Sequence, residues 1–349
     1  MRLLLRAEAR GTERRTPLTP KDAATLVAAG ASVSVERSER RIFGDTAYGE
    51  AGCRLVASGS WADAPENTLI LGVKELPEQP DILGGCHAHF AHLYKDQRGW
   101  QHELKRFHRG GGTLYDLEYL TGANGTRVAA FGYWAGWLGA ALGLRGWFLR
   151  ARGRSAMPVD SGESQAIFLD GTMALRGDTG LPRAIVIGAK GRSGQGACDL
   201  FEAVGIPVTR WDKEETRDLD RAALLDHDLL VNCVLLHGPG LVLATPDVLN
   251  APSTRLGVIS DVACDPLSDF NPLPLYDAPT AWDAPFLHLE GRRDIWLTAI
   301  DNLPSLLPRE ASEDFSAQLL PVLRAYPDGI AWLRSKAAFE AASSRLAKE

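Results

Sequence analysis

With 349 residues, 45% of them hydrophobic and 23% charged, the chain is long enough for two domains with substantial cores. A formal net charge of -6 and a pI near 5.8 argue against nucleic acid as the main partner, because phosphate neutralisation needs a concentrated basic surface. MRLLLRAEARG lacks the uninterrupted apolar core of a signal peptide, no stretch offers the about 18 uncharged apolar residues of a membrane span, and the five scattered cysteines form no CxxC pair; a soluble protein of the reducing cytoplasm is expected.

LLLRAEA opens the chain as a strand, a helix is predicted over Pro20 to Ala29, and ASVSVERS returns as a strand, an alternation that gives parallel βα units. Thr68 to Val73 (TLILGV) is a continuous apolar run of the kind buried in a parallel sheet, and it ends abruptly in Lys74, Glu75, Leu76 and Pro77. That charged pair sits at a strand's carboxyl end, where open α/β sheets bind ligands. Burial would lower the Lys74 pKa while Glu75 pushes it back, an arrangement suited to proton transfer; the plainer alternative is an exposed lysine before a turn.

His87, His89 and His92 invite a metal site. On a strand, however, His87 and His89 share a face and His92 does not, and neither cysteine nor carboxylate completes a set, so no metal is expected and His92 is read as a single acid–base group. Arg15, Lys95 and Arg127 recur near strand ends or loops. Each alone reads as a surface charge, but as a group they suit a substrate with several carboxylates.

Val128 to Trp147 is apolar all round and rich in small residues, which predicts a buried helix bridging two domains; Arg127, Arg145 and the interrupting glycines argue against a membrane helix. Residues 150–183 read as a linker with one short helix. A second domain follows: a strand at Arg183 to Gly188, a helix from Gly194 to Val204, and strands at Ile206 to Asp212, Asp228 to Val234 and Leu256 to Ala263, a doubly wound nucleotide-binding pattern. Between its first strand and helix lies Gly188-Ala189-Lys190-Gly191-Arg192-Ser193-Gly194-Gln195-Gly196, glycines where a chain turns sharply and approaches a pyrophosphate at a helix N-terminus. The spacing is not GxGxxG. Asp212, ending the next strand, would accept ribose hydroxyls and repel a 2′-phosphate, which favours NAD over NADP, although Arg210 and Lys213 lie beside it; otherwise Asp212 is a solvated strand end.

LRAEARGTERRTPLTP, GVKELPE, FAHLYKDQRGWQ, GTLYDLEYL, RVAAFGYWAG, IGAKGRSGQGA and IDNLPSLLPREAS resemble, in order and nearly end to end, segments of lysine-forming saccharopine dehydrogenases, with alanine dehydrogenases and transhydrogenase subunits as more distant relatives. The resemblance implies oxidation of saccharopine, a secondary amine joining lysine to a glutarate, with NAD as cofactor and L-lysine and 2-oxoglutarate as products. It further implies that Lys74 takes the proton of the amine and that His92 handles protons as water adds to the imine. Glu75 and Glu118 would tune them, Arg15 and Lys95 would bind substrate carboxylates, and Arg127 would sit near the cofactor and cleft. Asp301 would lie near the nicotinamide and the Arg15 region. The resemblance is compatible with a monomer.

Departures bear on detail. Where fungal members carry a cysteine in the glycine loop, this chain has Ser193, so no disulfide joins that position to Cys233. The segment EGRRDIWLTA, with Arg292 and Arg293, is more charged than its counterpart, and the linker at 150–183 differs. The resulting expectation is two Rossmann-like, doubly wound α/β domains with an interdomain active-site cleft: residues 1–130 plus 308–349 as substrate domain and 131–307 as NAD domain. The C-terminal helical tail would pack on the first domain. Two other readings are a related dehydrogenase acting on another amino acid/keto acid conjugate or on alanine, and a non-catalytic NAD-responsive binding protein.

Overall fold

The computed structural model describes residues 1–94, 99–236, 238–291 and 294–346. The chain opens with β1 (Arg2–Leu5), α1 (Pro20–Ala28), β2 (Ser32–Glu36), α2 (Asp45–Glu50), β3 (Arg54–Val56), β4 (Thr68–Leu71), β5 (Cys86–His89), α3 (Trp100–Gly110) and β6 (Thr113–Asp116). It continues with α4 (Gly132–Ala151), α5 (Gln165–Met173), β7 (Ala184–Ile187), α6 (Arg192–Ala203), β8 (Val208–Trp211), α7 (Lys213–Arg217), α8 (Arg221–Leu225) and β9 (Leu229–Asn232). After these come α9 (Pro246–Leu249), β10 (Val258–Asp261), β11 (Leu287–Leu289), β12 (Ile295–Thr298), α10 (Pro308–Arg324) and α11 (Ile330–Leu346). By contacts the chain divides into one unit of residues 1–130 with the segment from Pro308 onward, and a second unit, Phe131–Leu307.

In the first unit the strand order is β3-β2-β1-β4-β5-β6, all parallel. The triple leucine of β1 and the TLIL of β4 are buried, as central parallel strands require. Helix α1 starts where Pro20 fixes the first-turn dihedral and the Thr19 hydroxyl accepts from Asp22 N at 3.2 Å. The tail belongs to this unit: Ser312 and Ser316 of α10 accept from the backbone amides of Thr16 at 2.9 Å and Thr19 at 3.0 Å. Phe339 of α11 joins Leu4, Ile70, Leu104, Phe107 and Leu114 in one core.

In the second unit the order is β11-β12-β10-β9-β7-β8, parallel except for β11 against β12. The core gathers Ile185, Ile187, Leu230, Ile259 and Leu297. Helix α4 begins a turn later than the apolar run suggests; it is buried along most of its length and packs on α6, β9 and β10. No helix among the described residues is long and apolar enough to cross a membrane. Each sheet reverses its winding once, between β1 and β4 in the first and between β7 and β9 in the second. Ligands of open α/β sheets bind at such points, outside the carboxyl ends of the strands.

Candidate functional site

Around the first switch point, neighbouring parallel strands end in ionisable residues: Arg6 and Glu8 after β1, Lys74 and Glu75 after β4, His92 after β5, and Asp116 and Glu118 at the end of β6. Backbone hydrogen bonds beyond the regular ladder, Phe90 N to Val73 O at 3.0 Å and Leu117 N to His89 O at 3.0 Å, keep these ends in register. The parallel topology therefore puts chemistry from four separated stretches of sequence along one edge.

Buried charges hold Lys74 in place through its backbone. Glu8 accepts from the amides of Val73 at 2.7 Å and Lys74 at 3.0 Å. Arg6, its side chain buried, pairs with Glu8 at 3.4 Å and donates to the Lys74 carbonyl. Beside them Arg15 forms a buried bidentate pair with Glu13, Nε to Oε1 at 2.9 Å and Nη2 to Oε2 at 2.7 Å. Burial works to raise the Glu13 carboxyl, but the Arg15 guanidinium, with the Lys74 charge adding to it, holds it down to about 2. That electrostatic reach places Lys74, Glu13 and Arg15 in one cluster. The Glu75 carboxylate faces Arg10 rather than forming the cluster's interior.

The second group lies on the next two strands, β5 and β6. His92 Nδ1 is 3.4 Å from Glu118 Oε2, with the histidine side chain half exposed and the glutamate mostly covered. His92 has a positive φ of 54°, an uncommon conformation for a residue with a Cβ and one that clusters at functional sites. The neighbouring His87 and His89 are buried. His87 sits edge-on to Trp61 and Phe107, its Nε2 2.9 Å from Gly84 O, and burial lowers its pKa to about 4. Arg127 lies on an exposed two-stranded bridge with Thr121 and its charge reaches Tyr119.

In the second unit the chain turns at Gly188, whose φ of 80° suits glycine; a Cβ there would press on Val234. The turn is closed by Gly191 N to Gly188 O at 3.0 Å. Gly191 caps α6, which therefore starts at Arg192, two residues before the sequence suggests. Arg192 is exposed and Ser193 half-buried. Gly194 is buried against the Gly188 turn, and Gly196 faces α4, where a Cβ would fall on the Tyr133 carbonyl. These two glycines permit close packing of the helix, while Gly188 and Gly191 line the open side.

That open side is a cavity of about 1040 Å³ over the ends of β7, β8 and β9, bounded by Gly188, Gly191, Asp212, Lys213, Val234 and Leu241 among others. Asp212 accepts from Lys190 N at 3.0 Å and from Lys213 N at 2.9 Å, and it caps α7. Burial alone would raise its pKa, but these amide bonds and the neighbouring lysine charges lower it, so it stands as a carboxylate. A carboxylate has about four acceptor positions, so both amides and a ligand hydroxyl can be served. A glycine turn with positive φ, a helix N-terminus and a carboxylate on the next strand fit a dinucleotide. Asp301 is exposed after β12, and its charge reaches Cys264, which follows β10. Lys95, Arg292 and Arg293 lie outside the described residues.

The sequence reading missed Arg6, Glu8, Glu13 and Asp116. Residue type alone says surface for all four; the available signal was the abutment of Arg6 and Glu8 on the three leucines of β1. Residues 4–138 match the family model of the alanine dehydrogenase/PNT N-terminal domain. The chain is 43% identical to the saccharopine dehydrogenase (NAD(+), L-lysine-forming) of Yarrowia lipolytica, with 97% of each chain covered. It is 41% identical to the enzyme of that name from Neurospora crassa, over 97% of this chain and 95% of the other. Among solved structures it is similar to an L-alanine dehydrogenase, with TM-score 0.67, 20% identity and 97% and 94% of the two chains covered. A transhydrogenase from Sinorhizobium meliloti gives TM-score 0.64 at 14% identity, covering 94% and 93%, and both likenesses show the two-sheet α/β fold. By its near-full-length relatives, the chain belongs to the NAD(+)-dependent, L-lysine-forming saccharopine dehydrogenase family.

Proposed function

We propose that this protein catalyses the reversible, NAD-dependent oxidation of saccharopine to L-lysine and 2-oxoglutarate. The observation that carries this reading furthest is the placement of Lys74 and of the His92–Glu118 pair at the ends of neighbouring strands beside a switch point. Saccharopine bears several carboxylates and an amine: the Arg15 guanidinium complements a carboxylate, and Lys74 in its neutral form can accept the proton of the amine. The Arg15 Nε edge is taken by Glu13, so a substrate carboxylate bound by Arg15 meets the guanidinium elsewhere. Lys95 and Arg127 serve the remaining carboxylates.

Gly188, Gly191 and Asp212 would hold NAD, which would supply the hydride acceptor. Lys74 accepts the proton of the secondary amine as the C–N bond becomes an imine. His92, oriented by Glu118, takes a proton from water as its oxygen adds to the imine carbon. The imidazolium returns that proton to the nitrogen to give the carbinolamine; His92 then takes the hydroxyl proton as the carbonyl forms and passes it to the nitrogen, so the C–N bond breaks with both water protons on the amine, and lysine and 2-oxoglutarate separate. Glu75 and Glu118 set the charge around these groups; Arg192 and Ser193 would border the pyrophosphate of the bound cofactor, and Asp301 would stand near its nicotinamide. Asp212 disfavours a 2′-phosphate, so NAD is used in preference to NADP. The cysteines are all free, which suits the reducing cytoplasm.

The test is NADH oxidation with lysine plus 2-oxoglutarate, run beside pyruvate plus ammonia, other amine/keto acid pairs, and NADPH. Turnover confined to lysine, 2-oxoglutarate and NADH is expected. Turnover with another pair reassigns the substrate, and no turnover with any pair returns the protein to an NAD-binding role without chemistry.

A further inference from the structure

We propose that Asp116 is a positioning residue for the His92–Glu118 acid–base pair, tying together the two segments that carry the pair and setting its charge from beneath. This inference rests on the proposed reaction at that site. Asp116 ends β6 and is fully buried. Its Oδ1 accepts from Glu118 N at 2.9 Å, and the Ala91 amide, next to His92, acts on the same carboxyl. The side chain therefore anchors the segment leaving β6, and its carboxyl lies against the segment leaving β5, whose His89 is in register with Asp116.

Packing alone gives no reason for a carboxyl here. Asp116 Oδ2 is buried without a hydrogen-bond partner among the described residues, and so is the nearby Tyr94 hydroxyl. Such groups are rare in folded proteins and call for an explanation. Burial first, then repulsion by Glu118, pushes the carboxyl up to about 6, while the Glu118 amide and the His92 charge oppose the rise. It thus changes charge within the range where an imidazole works.

Among the described residues, the groups facing it are few. His92 and Glu118 lie toward the site. His89, its register partner on β5, is held neutral by burial. Tyr94 and Tyr119 feel its charge, and Arg127 and Arg345 act on Tyr119. Helix α11, packed on β6, contributes Ser335, whose hydroxyl donates to the Asp116 carbonyl at 3.0 Å.

Asp116→Asn keeps an acceptor for the Glu118 amide and removes the charge. Its kcat against pH is expected to retain the plateau within about threefold. The limb at which the conjugate acid loses its proton should move to lower pH by about one unit, because a negative charge that favoured the protonated form is gone. Asp116→Ala, which also drops the anchor, should lose about tenfold in kcat at the plateau. Should the Asn variant not fold, Asp116→Ser keeps an uncharged acceptor and is read in the same way. An Asn profile that superimposes on the parent's, or that moves upward, overturns the inference. Parental turnover of lysine, 2-oxoglutarate and NADH with an unmoved variant profile rejects this inference alone, whereas absence of parental turnover rejects the reaction beneath it.

Discussion

Glu13 and Asp116 are both buried carboxyls at the edge of one sheet, yet their surroundings drive them in opposite directions, to about 2 and about 6. For Glu13 the folded value is depressed, so its contribution to stability is complete above its ordinary range and is lost as pH falls toward 2. For Asp116 the folded value is raised, so its penalty is absent at low pH and grows as pH rises toward and past 6. Glu13→Gln leaves the buried Arg15 charge without its partner and should cost about 3 kcal/mol at neutral pH, measured by denaturant unfolding; an unchanged midpoint would mean that Arg15 finds another partner. Under the proposed reaction, in which Lys74 takes the substrate's proton, Lys74→Met should lower kcat at least about 100-fold while leaving NADH affinity within twofold of the parent, because the residue lies in the other unit from the glycine turn. Parental turnover in that variant would remove Lys74 from the chemistry.

At the scale of elements, the approach of α6 to α4 depends on missing side chains. A Cβ on Gly196 would meet Tyr133 O and Trp137 N, so Gly196→Ala should destabilise by about 2 kcal/mol. Gly171, in the interior of α5 with open space around it, should behave oppositely, Gly171→Ala gaining about 0.5–1 kcal/mol. Thermal melts of the two variants, moving in opposite directions from the parent, check both. The same elements show what was legible in the sequence. TLIL and AIVI could be read because central parallel strands are apolar throughout. The edge strand β11 escaped, and β12 and β6 with it; LHL is largely exposed, and TLYD ends in a carboxyl that only the fold reveals as buried. Lys74, His92 and the glycine turn stood out by chemistry and position. Arg6, Glu8 and Glu13 did not, because a charged residue's burial follows from the strands that close over it and leaves no mark in local periodicity.

For the whole molecule, the two-unit plan, with the glycine turn in one unit and Lys74 and His92 in the other, predicts under the proposed reaction that cofactor binding and chemistry can be separated by mutation. NAD at about 100 times its Kd should stabilise the parent by about 2.7 kcal/mol, seen as a raised melting temperature. Gly188→Ala, which strains a position at φ 80° and presses on Val234, should lose most of that increment; an undiminished shift would move the dinucleotide away from this turn. The most direct measurement is of the forward reaction: saccharopine and NAD incubated with the protein, NADH followed by absorbance and the products identified by mass, beside an equal incubation with alanine. NADH formation from saccharopine alone, with lysine and 2-oxoglutarate released in equal amounts, is the predicted result; NADH formation from alanine, with pyruvate and ammonia released and saccharopine untouched, would contradict it.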